Sequence, residues 1–435
     1  MAPSVQAAIP PDGIWRRGKK YYSVCDVIFE IDAKYDPIKP LGAGAYGVVC
    51  SAHDEETKKK VAIKKISNVF EDQTTAVRTL REMMILRQIK HFNVIPLKDV
   101  MLPAPKAQFK DVYLVFELMD TDLDRVIESG LPLSANHVKY FLFQILCGLR
   151  HIHSANILHQ DLKPSNILVN ADGHLKIGDF GLARTTAQDD SQVMTGYVAT
   201  RWYRAPEVLL VSLNYGQPID VWSTGCIFAE ILGRKPIFPG TSSLNQLQHI
   251  INVLGTPKQA DLEFIQNKKA RNYIQSLPYS SGTPLSNLFP QADSLGLDLL
   301  EKMLAFNPKK RITASQALKH PYLADVYIAD FDSPAQFQVK LDVDEDSKFN
   351  EMRKLMWDEM LYSHPELALC RNQVLEVAIV EGGGAHVVRG EGVVVPASAQ
   401  AARMELVRVG LVKGEIVLAV PRLIVQLHLK LVHAC

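Results

Sequence analysis

The sequence lacks the features that would place it in several large classes of protein. Its six cysteines lie far apart and form no Cys-x-x-Cys pair, which argues against a zinc ribbon or a disulfide scaffold. No stretch supplies the roughly 18 apolar residues of a membrane helix, and the first residues lack the apolar segment of a secretion signal. The chain has 48 Lys and Arg against 47 Asp and Glu, so no charge excess suggests nucleic acid, an anionic membrane or disorder. These absences predict a soluble, globular protein of a reducing compartment that binds neither nucleic acid nor membranes. We further expect a monomer that is located in the cytoplasm, with the nucleus as a second location.

The chain changes character near residue 119. Before it, segments rich in β-branched and aromatic residues, such as KKKVAIKKI and DVYLVFELM, alternate with polar turns and indicate strands, with one helix over TTAVRTLREMMILRQI. After it, apolar residues recur at helical spacing, and two such segments end at Gly233 and Gly255. The sequence therefore predicts an α+β fold with a small β-rich lobe, a larger helical lobe and a ligand cleft between them.

Both ends of the chain differ from the middle. Residues 1–34 carry Pro10, Pro11 and a basic run, and we expect a loose N-terminal arm there. Residues 371–435 contain fifteen Val and no Phe, Trp, Tyr, Asp or Thr. That composition leaves open a poorly ordered tail, the product of a retained intron or shifted reading frame, and a folded regulatory module.

A glycine-rich string, Gly42-Ala-Gly44-Ala-Tyr-Gly47-Val-Val49, matches two kinds of nucleotide site. A dinucleotide-binding turn has the same glycines but requires a helix directly after the third. Here the residues that follow continue as a strand before a charged turn. A glycine loop between two strands favours a flap over nucleotide phosphates, with a dinucleotide oxidoreductase as the alternative.

Lys64 and Glu82 are predicted to form an ion pair. A lysine on a strand is usually just solvated, but Glu82 shares one helix face with Ile85 and Ile89, at i, i+3 and i+7. A carboxylate on such an apolar stripe is costly to bury without a cation. Lys64 would neutralise it and could still hold the α- and β-phosphate oxygens of a nucleotide.

Three further motifs follow in order. They are His159-Gln-Asp161-Leu-Lys163-Pro-Ser-Asn166, Asp179-Phe-Gly181 and Ala205-Pro-Glu207. Together with the glycine string, their order and spacing resemble the protein kinase family. The resemblance implies a bilobal catalytic domain over residues 35–323, with the lobes divided near residue 119, and residues 324–370 as an extension that returns to it.

The resemblance also implies the chemistry of each matching residue, with ATP and Mg²⁺ as cofactors. Asp161 would orient the substrate hydroxyl and accept its proton, and Lys163 would neutralise charge on the γ-phosphate. Asn166 and Asp179 would hold Mg²⁺. The other residues expected to contact ATP are Leu41, Gly42, Ala43, Gly44, Ala45, Tyr46, Gly47, Val48, Val49, Ala62, Lys64, Glu82, Glu117, Met119 and Asp122. Among these, the backbone of Glu117 and Met119 would bind adenine beside the gatekeeper Phe116, and Asp122 would bind ribose.

Residues around the site are expected to support it. Phe180 would seat the helix that bears Glu82, and Asp220 would steady the backbone of the loop around Asp161. Glu207 would pair with Arg311. For Asp220 and the Glu207–Arg311 pair, the implied role is structural.

The stretch from Met194 to Glu207 is the most specific in the chain. It reads MTGYVATRWYRAPE and resembles the mitogen-activated protein kinases with a Thr-Gly-Tyr activation lip. The resemblance implies phosphorylation of Ser or Thr followed by Pro, activation by an upstream dual-specificity kinase that modifies Thr195 and Tyr197, and contact of Thr200 with the catalytic Asp and Lys. The arginines expected to pair with the two phosphates are Arg78, Arg81 and Arg184 for Thr195, and Arg201 and Arg204 for Tyr197.

One position departs from the family pattern, since His159-Gln160-Asp161 stands where the family has His-Arg-Asp. Gln160 lacks the charge with which that arginine joins the cluster around the phosphothreonine, and a hydrogen bond to a charged group contributes roughly 1.5–3 kcal/mol. We expect phosphorylation of Thr195 to activate this chain by a smaller factor than its relatives, with the chemistry at Asp161 intact. An error in the sequence is the alternative, and a pseudokinase scaffold is the rival function.

The acidic residues beyond His320-Pro-Tyr-Leu323 form an irregular patch. They are Asp330, Asp332, Asp342, Asp344, Glu345 and Asp346. Such a run can be ordinary solvated surface, or it can dock basic peptides from substrates, phosphatases or the upstream kinase, in which case added salt would weaken binding.

Overall fold

A computed structural model describes residues 5–44, 47–103, 109–185, 201–210, 215–341, 343 and 347–365. The strands are β1 (Val5–Ala7), β2 (Lys19–Val24), β3 (Val27–Asp32), β4 (Tyr35–Gly44), β5 (Gly47–Asp54), β6 (Lys59–Ile66), β7 (Leu97–Val100), β8 (Val112–Glu117), β9 (Thr121–Asp122), β10 (Ile157–Leu158), β11 (Ile167–Val169), β12 (Leu175–Ile177) and β13 (Arg184–Thr185). The helices are α1 (Gln73–Gln88), α2 (Leu123–Glu128), α3 (Ala135–Ser154), α4 (Pro206–Leu209), α5 (Pro218–Gly233), α6 (Ser243–Leu254), α7 (Lys268–Ser276), α8 (Leu285–Leu288), α9 (Ser294–Met303), α10 (Ala314–Leu318) and α11 (Phe349–Tyr362).

The first lobe is built on a five-stranded antiparallel sheet in the order β4-β5-β6-β8-β7. Helix α1 is the predicted helix of this lobe, and it begins where the Asp72 side chain accepts a hydrogen bond from the backbone N–H of Thr75 at 2.8 Å. Such a cap satisfies one of the free N–H groups of a helix start. The glycine string spans the β4–β5 hairpin, so a strand and not a helix follows its last glycine.

The prediction of a loose arm over residues 1–34 is wrong for the part of the arm that the structure describes. Strands β1, β2 and β3 form an antiparallel sheet, and Val24, Phe29 and Ile31 are buried against the first lobe's main sheet. The β2–β3 turn is made by Cys25 and Asp26, whose φ angles are 49° and 62°. The alternating apolar residues of these strands outweigh the prolines and basic residues before them.

The second lobe is helical and is organised around α3 and α5. Both helices are buried along most of their length, and Trp222 and Phe228 of α5 are fully enclosed. The predicted helix ends are confirmed: α5 ends at Gly233, and α6 ends at Leu254, before Gly255 with a φ of 87°. This β-rich lobe followed by a helical lobe confirms the α+β fold class.

Short strand pairs carry the loops of the predicted site. Strands β9, β11 and β12 form one small sheet, and β10 pairs with β13. The loop from His159 to Asn166 lies between β10 and β11, and Asp179 follows directly after β12. These pairings bring the two loops to the same place in the fold.

The described residues contain free thiols at Cys25, Cys50, Cys147 and Cys226. No helix among them is long and apolar enough to cross a membrane. The Val-rich segment 371–435, for which three interpretations were left open, lies outside the described residues.

Candidate active site

Lys64 and Glu82 form the predicted ion pair. The Lys64 Nζ atom lies 2.8 Å from Glu82 Oε2 and 3.8 Å from Asp179 Oδ1. Glu82 is enclosed, and burial raises the pKa of its carboxyl although Lys64 opposes the shift. Burial also acts to raise the pKa of Asp179, but Lys64, His159 and Lys163 hold it below its ordinary value. One lysine thus joins α1, β6 and the loop after β12.

Asp161 is held by its neighbours in the loop after β10. Its Oδ2 atom accepts hydrogen bonds from Lys163 Nζ at 2.9 Å and from Asn166 Nδ2 at 3.0 Å. Its Oδ1 atom is buried and has no partner among the described residues. An acceptor left open in this way is costly unless a ligand supplies a donor. A substrate hydroxyl group has the chemistry to be that donor.

Asp220 fixes the backbone of the same loop, as predicted. Its carboxylate accepts the backbone N–H of His159 at 2.9 Å and that of Gln160 at 2.8 Å, and it lies 2.9 Å from His153 Nε2. Gln160 adopts a φ of 67°, a conformation that L-residues rarely take. Two hydrogen bonds to a buried carboxylate hold the strained residue in place.

Asn166 and Asp179 offer oxygen ligands side by side. The backbone N–H of Gly178 donates to the carbonyl of Asn166 at 2.9 Å, which places Asp179 next to that residue. Since Asn166 Nδ2 donates hydrogen bonds to Asp161, the amide oxygen of Asn166 is the atom that can face a cation. The described residues contain no group of three His, Cys, Asp or Glu that could hold a metal by themselves. One carboxylate and one amide fit Mg²⁺, which keeps waters and substrate phosphate oxygens as its other ligands.

The glycine string forms a hairpin beside Lys64, which pairs with Val49 on the next strand. Gly42 pairs with Val49, and Gly44 pairs with Gly47; Ala45 and Tyr46, at the tip, lie outside the described residues. A Cβ built at Gly42 or Gly44 would have nothing within 4 Å, whereas one at Gly47 would lie 2.0 Å from the carbonyl oxygen of Lys65. Gly47 is therefore required by packing, and Gly42 and Gly44 leave space for a ligand.

Two substitutions separate these roles. We expect Gly44→Ala to raise the KM for ATP about fivefold, on the order of 1 kcal/mol, with no change in melting temperature. Gly47→Ala should cost at least about 1 kcal/mol of stability, because its φ is 119° and the new Cβ meets backbone. Thermal melting and ATP titration of both variants check this, and equal losses of stability would contradict it.

The predicted adenine and ribose contacts lie at the junction of the lobes. Ala62 of β6 pairs with Phe116 of β8, and Met119 is buried beyond the end of that strand. Asp122 begins α2, where its carboxylate accepts the backbone N–H of Arg125 at 3.0 Å. Burial raises the pKa of Asp122. One of its carboxylate oxygens is thus used by the helix, and its contact with ribose stays a prediction.

Glu207 and Arg311 form the predicted buried pair. The Arg311 guanidinium donates to Glu207 Oε1 at 2.6 Å and to Oε2 at 3.0 Å. It also donates to the carbonyl of Pro218 at 2.8 Å, and it lies 5.0 Å from the Trp222 ring. The pair therefore ties α4 to α5 and to the loop before α10.

Several predicted residues of the activation lip lie outside the described residues. They are Thr195, Tyr197 and Thr200. Of the arginines expected to pair with phosphate, Arg78 and Arg81 lie three residues apart on α1, Arg184 lies on β13, and Arg201 and Arg204 flank the turn before α4. Arg201 Nη1 donates to the carbonyl of Thr241 at 3.1 Å. The structure thus shows where the arginines are anchored, and their pairing with phosphate stays a prediction.

The predicted acidic patch is wrong for Asp332. That side chain is only 5% exposed, pairs with Arg150, and accepts a hydrogen bond from Tyr327 at 2.7 Å. Asp330 is exposed. Asp342, Asp344, Glu345 and Asp346 lie outside the described residues. Asp332 anchors its own segment, so it is unavailable to a docking peptide.

Sequence reasoning missed a buried pair beside the site. The Tyr203 hydroxyl donates to Glu230 Oε2 at 2.7 Å, and burial raises the pKa of Glu230 to about 7 although that hydrogen bond opposes it. Glu230 is the one acid in the apolar run CIFAEILG. The argument that predicted a partner for Glu82 could have been applied here.

Glu230 should make stability fall with rising pH. Its folded-state pKa of about 7 lies above its ordinary value of 4.5, so its favourable contribution is complete below about pH 4.5 and is lost as the pH rises through 7. We expect the melting temperature of Glu230→Gln, measured relative to that of the wild type at the same pH, to be higher at about pH 8 than at about pH 5.5. A difference in melting temperature that does not change with pH would contradict this.

The two lobes, the glycine flap and the cluster of Lys64, Asp161 and Asp179 between them define a protein kinase. The family model for the protein kinase domain matches residues 35–323. More specifically, the chain belongs to the mitogen-activated protein kinase family and is a protein serine/threonine kinase.

Three plant relatives show that the chain belongs to the mitogen-activated protein kinase family. Mitogen-activated protein kinase 7 of Arabidopsis thaliana is 61% identical over 357 residues, covering 82% of this chain and 97% of the relative. Mitogen-activated protein kinase homolog NTF3 of Nicotiana tabacum is 59% identical, covering 84% and 98%. Mitogen-activated protein kinase 4 of Oryza sativa subsp. japonica is 58% identical, covering 82% and 97%.

Proposed function

We propose that this kinase transfers the γ-phosphate of ATP to Ser or Thr followed by Pro, and that phosphorylation of Thr195 and Tyr197 activates it. The observation that carries the transfer is the open Oδ1 atom of Asp161, buried beside Lys163 in the cleft that also holds Lys64 and Asp179. The Thr-Gly-Tyr lip and the plant relatives support the substrate preference and the mode of activation.

Phosphoryl transfer depends mainly on positioning and on neutralising charge. Asp161 accepts the proton of the substrate hydroxyl at Oδ1, while Lys163 and Asn166 fix the carboxylate through Oδ2. Lys64, held by Glu82, binds the α- and β-phosphates. Asn166 and Asp179 would hold Mg²⁺, which neutralises phosphate charge when it is bound. Every one of these groups is present, which favours an enzyme over a scaffold.

The substrate preference is tested with two peptides that differ at one residue. The full chain, phosphorylated by a dual-specificity MAP kinase kinase, should phosphorylate a Ser-Pro peptide with a higher kcat/KM than its Ser-Ala counterpart, by about tenfold or more. Equal values for the two peptides would contradict proline direction. Chain treated with an inactive upstream kinase is the control for activation.

Gln160 should weaken the dependence of kinase turnover on the phosphorylation of Thr195. Its Nε2 atom is buried without a partner in the described part of the chain, and it lines a small cavity with Tyr203, Arg204 and Ser223. We expect Gln160→Arg to raise the ratio of phosphorylated to unphosphorylated turnover about tenfold, since a charge-assisted hydrogen bond is worth roughly 1.5–3 kcal/mol.

Gln160→Met is the matched control, because it keeps the length of the side chain without adding charge. It should leave the ratio close to that of the wild type. A Gln160→Arg variant with an unchanged ratio would reject the idea that this position limits activation.

The family supports membership of a kinase cascade, and the particular partners and the location are part of this proposal. We propose an upstream dual-specificity kinase, protein substrates, and phosphatases or other proteins with basic docking peptides, met in the cytoplasm or nucleus. Of the two predicted docking residues that the structure describes, Asp330 stays the candidate, since Asp332 is occupied by Arg150.

A further inference from the structure

The sequence itself contains three Ser-Pro or Thr-Pro pairs, the kind of site that the proposed function modifies. They are Thr256-Pro257, Thr283-Pro284 and Ser333-Pro334, and all three lie in the described part of the chain. A proline-directed kinase can use such a pair only where the hydroxyl group and the backbone around it are accessible. Burial and hydrogen bonding therefore separate a candidate site from a chance match.

Thr256 and Thr283 are held by contacts between the loops before and after α7. Both residues are half-buried. The Thr256 hydroxyl accepts the backbone N–H of Ser280 at 2.8 Å, and the Thr256 N–H donates to the carbonyl of Ser280 at 2.9 Å. The N–H of Thr283 donates to the carbonyl of Val253 at 2.8 Å. A kinase would have to break these contacts to reach either threonine.

Ser333-Pro334 is the exposed pair. Both residues are exposed, and they lie in an irregular segment just after a single helical turn, Ala329–Phe331. The carbonyl of Ser333 accepts a hydrogen bond from His151 Nδ1 at 2.9 Å. That contact uses the main chain of Ser333 and not its hydroxyl group. Ser333-Pro334 is therefore the most accessible of the three pairs.

A cation lies beside Ser333. Arg150, near the end of α3, pairs with the carboxylate of Asp332 and donates to the Asp332 carbonyl at 2.7 Å. Both contacts use Nη1, whereas a guanidinium carries several N–H donors. The Arg150 side chain is 22% exposed. A phosphate on the next residue adds roughly 1.5–2 negative charges and several acceptor oxygens, so Arg150 has the donors and the charge to pair with it.

The segment that carries Ser333 is fastened along the end of α3. The N–H of Ala335 donates to Ser154 Oγ at 2.7 Å, and the N–H of Val339 donates to the carbonyl of Ala155 at 2.9 Å. With the contacts made by Arg150, these bonds hold the backbone on both sides of Ser333. Transfer within one molecule would require the release of this whole segment, so a second copy of the kinase is the better enzyme for it.

We propose that Ser333 is a phosphorylation site, modified by a second copy of this kinase, and that Arg150 pairs with the phosphate. The Oγ of Ser333 bonds to the γ-phosphorus of ATP, the bond from that phosphorus to the β–γ bridging oxygen breaks, and ADP leaves. The hydroxyl proton goes to Asp161 of the acting copy. The inference rests on the proposed preference for Ser or Thr followed by Pro.

The test uses the dually phosphorylated wild type as enzyme and the full-length Asp161→Asn variant as substrate, with ATP and Mg²⁺. Because the substrate copy lacks the proton acceptor, its modification reports transfer between copies. Mass spectrometry should find Ser333 modified at least about tenfold more than Thr256 or Thr283. The matched control is Ser333→Ala in the Asp161→Asn background, which should lose most of the phosphate gained outside the activation lip.

Pairing with Arg150 is measured by thermal melting of the substrate copy before and after phosphorylation. We expect phosphorylation to raise the melting temperature by about 1–3 °C, because the phosphate gains a charge-assisted hydrogen bond. With Arg150→Gln the rise should vanish or reverse, since the phosphate then faces Asp332 without a cation. An equal shift in the two backgrounds would overturn the pairing.

The outcomes separate this inference from the proposed function. A wild type that phosphorylates a Ser-Pro peptide but leaves Ser333 unmodified would overturn the inference and leave the proposed function in place. Equal modification of Ser333, Thr256 and Thr283 would contradict the argument from accessibility. If the wild type modified neither peptide nor protein, the proposed function would fail, and an unrelated proline-directed kinase used as enzyme would decide whether Ser333 is a site.

Discussion

Replacing Asp161 with asparagine should lower kcat about 10²–10⁴-fold and leave the affinity for ATP and Mg²⁺ unchanged. An asparagine keeps an oxygen that can accept from Lys163 and Asn166, as Asp161 does at 2.9 and 3.0 Å. The loop should therefore keep its shape. The amide cannot take the proton of the substrate hydroxyl, so the loss falls on the chemical step.

Turnover of a Ser-Pro peptide and titration with ATP-Mg²⁺ measure the two parts of this prediction. Asp325→Asn serves as the control, since that aspartate is on the surface and pairs with Lys139. An Asp161→Asn variant that keeps most of the wild-type kcat would remove Asp161 from the mechanism. A large loss of ATP affinity would show that the substitution disturbs the cleft.

Glu207→Gln should destabilise the second lobe by about 3–5 kcal/mol, because it leaves a charge buried without its partner. The Arg311 side chain is fully enclosed, and its remaining hydrogen bonds go to neutral carbonyl groups. For a domain of this size the loss corresponds to a fall in melting temperature on the order of 10 °C.

The exposed pair of Asp298 and Lys302 is the control for Glu207. Both side chains are 47% exposed, so Asp298→Asn should cost about 1 kcal/mol or less. Replacing both partners of the buried pair, as Glu207→Leu/Arg311→Met, should recover much of the stability, since no lone charge is left. If Glu207→Gln melted like Asp298→Asn, the pair would have no stabilising role.

Much of the site could be predicted from local patterns in the sequence. The glycine string lies between strands because the residues after Gly47 are β-branched. Lys64 and Glu82 pair because a carboxylate on an apolar helix stripe needs a cation, and the observed 2.8 Å confirms that argument. The end of α6 before Gly255 follows from the backbone freedom of glycine, whereas the left-handed residue at the end of α5 is Arg234, with a φ of 57°.

The errors have a common physical cause, which is that partners distant in sequence decide burial. Asp332 looked like exposed charge, but its partner Arg150 is 182 residues away. The N-terminal strands looked like a loose arm because the sheet that buries their apolar residues is formed by residues further along the chain. The Tyr203–Glu230 contact joins two segments 27 residues apart. The periodicity of apolar residues along the chain does not predict such long-range contacts.

Transfer of label from γ-labelled ATP to a Ser-Pro peptide tests the central claim most directly. The assay uses the full chain with Thr195 and Tyr197 both phosphorylated, in the presence of Mg²⁺, and Asp161→Asn as its control. The account predicts labelled phosphoserine with the wild type and almost none with the variant. Binding of ATP-Mg²⁺ by the doubly phosphorylated wild type without any transfer would contradict it and would favour a scaffold.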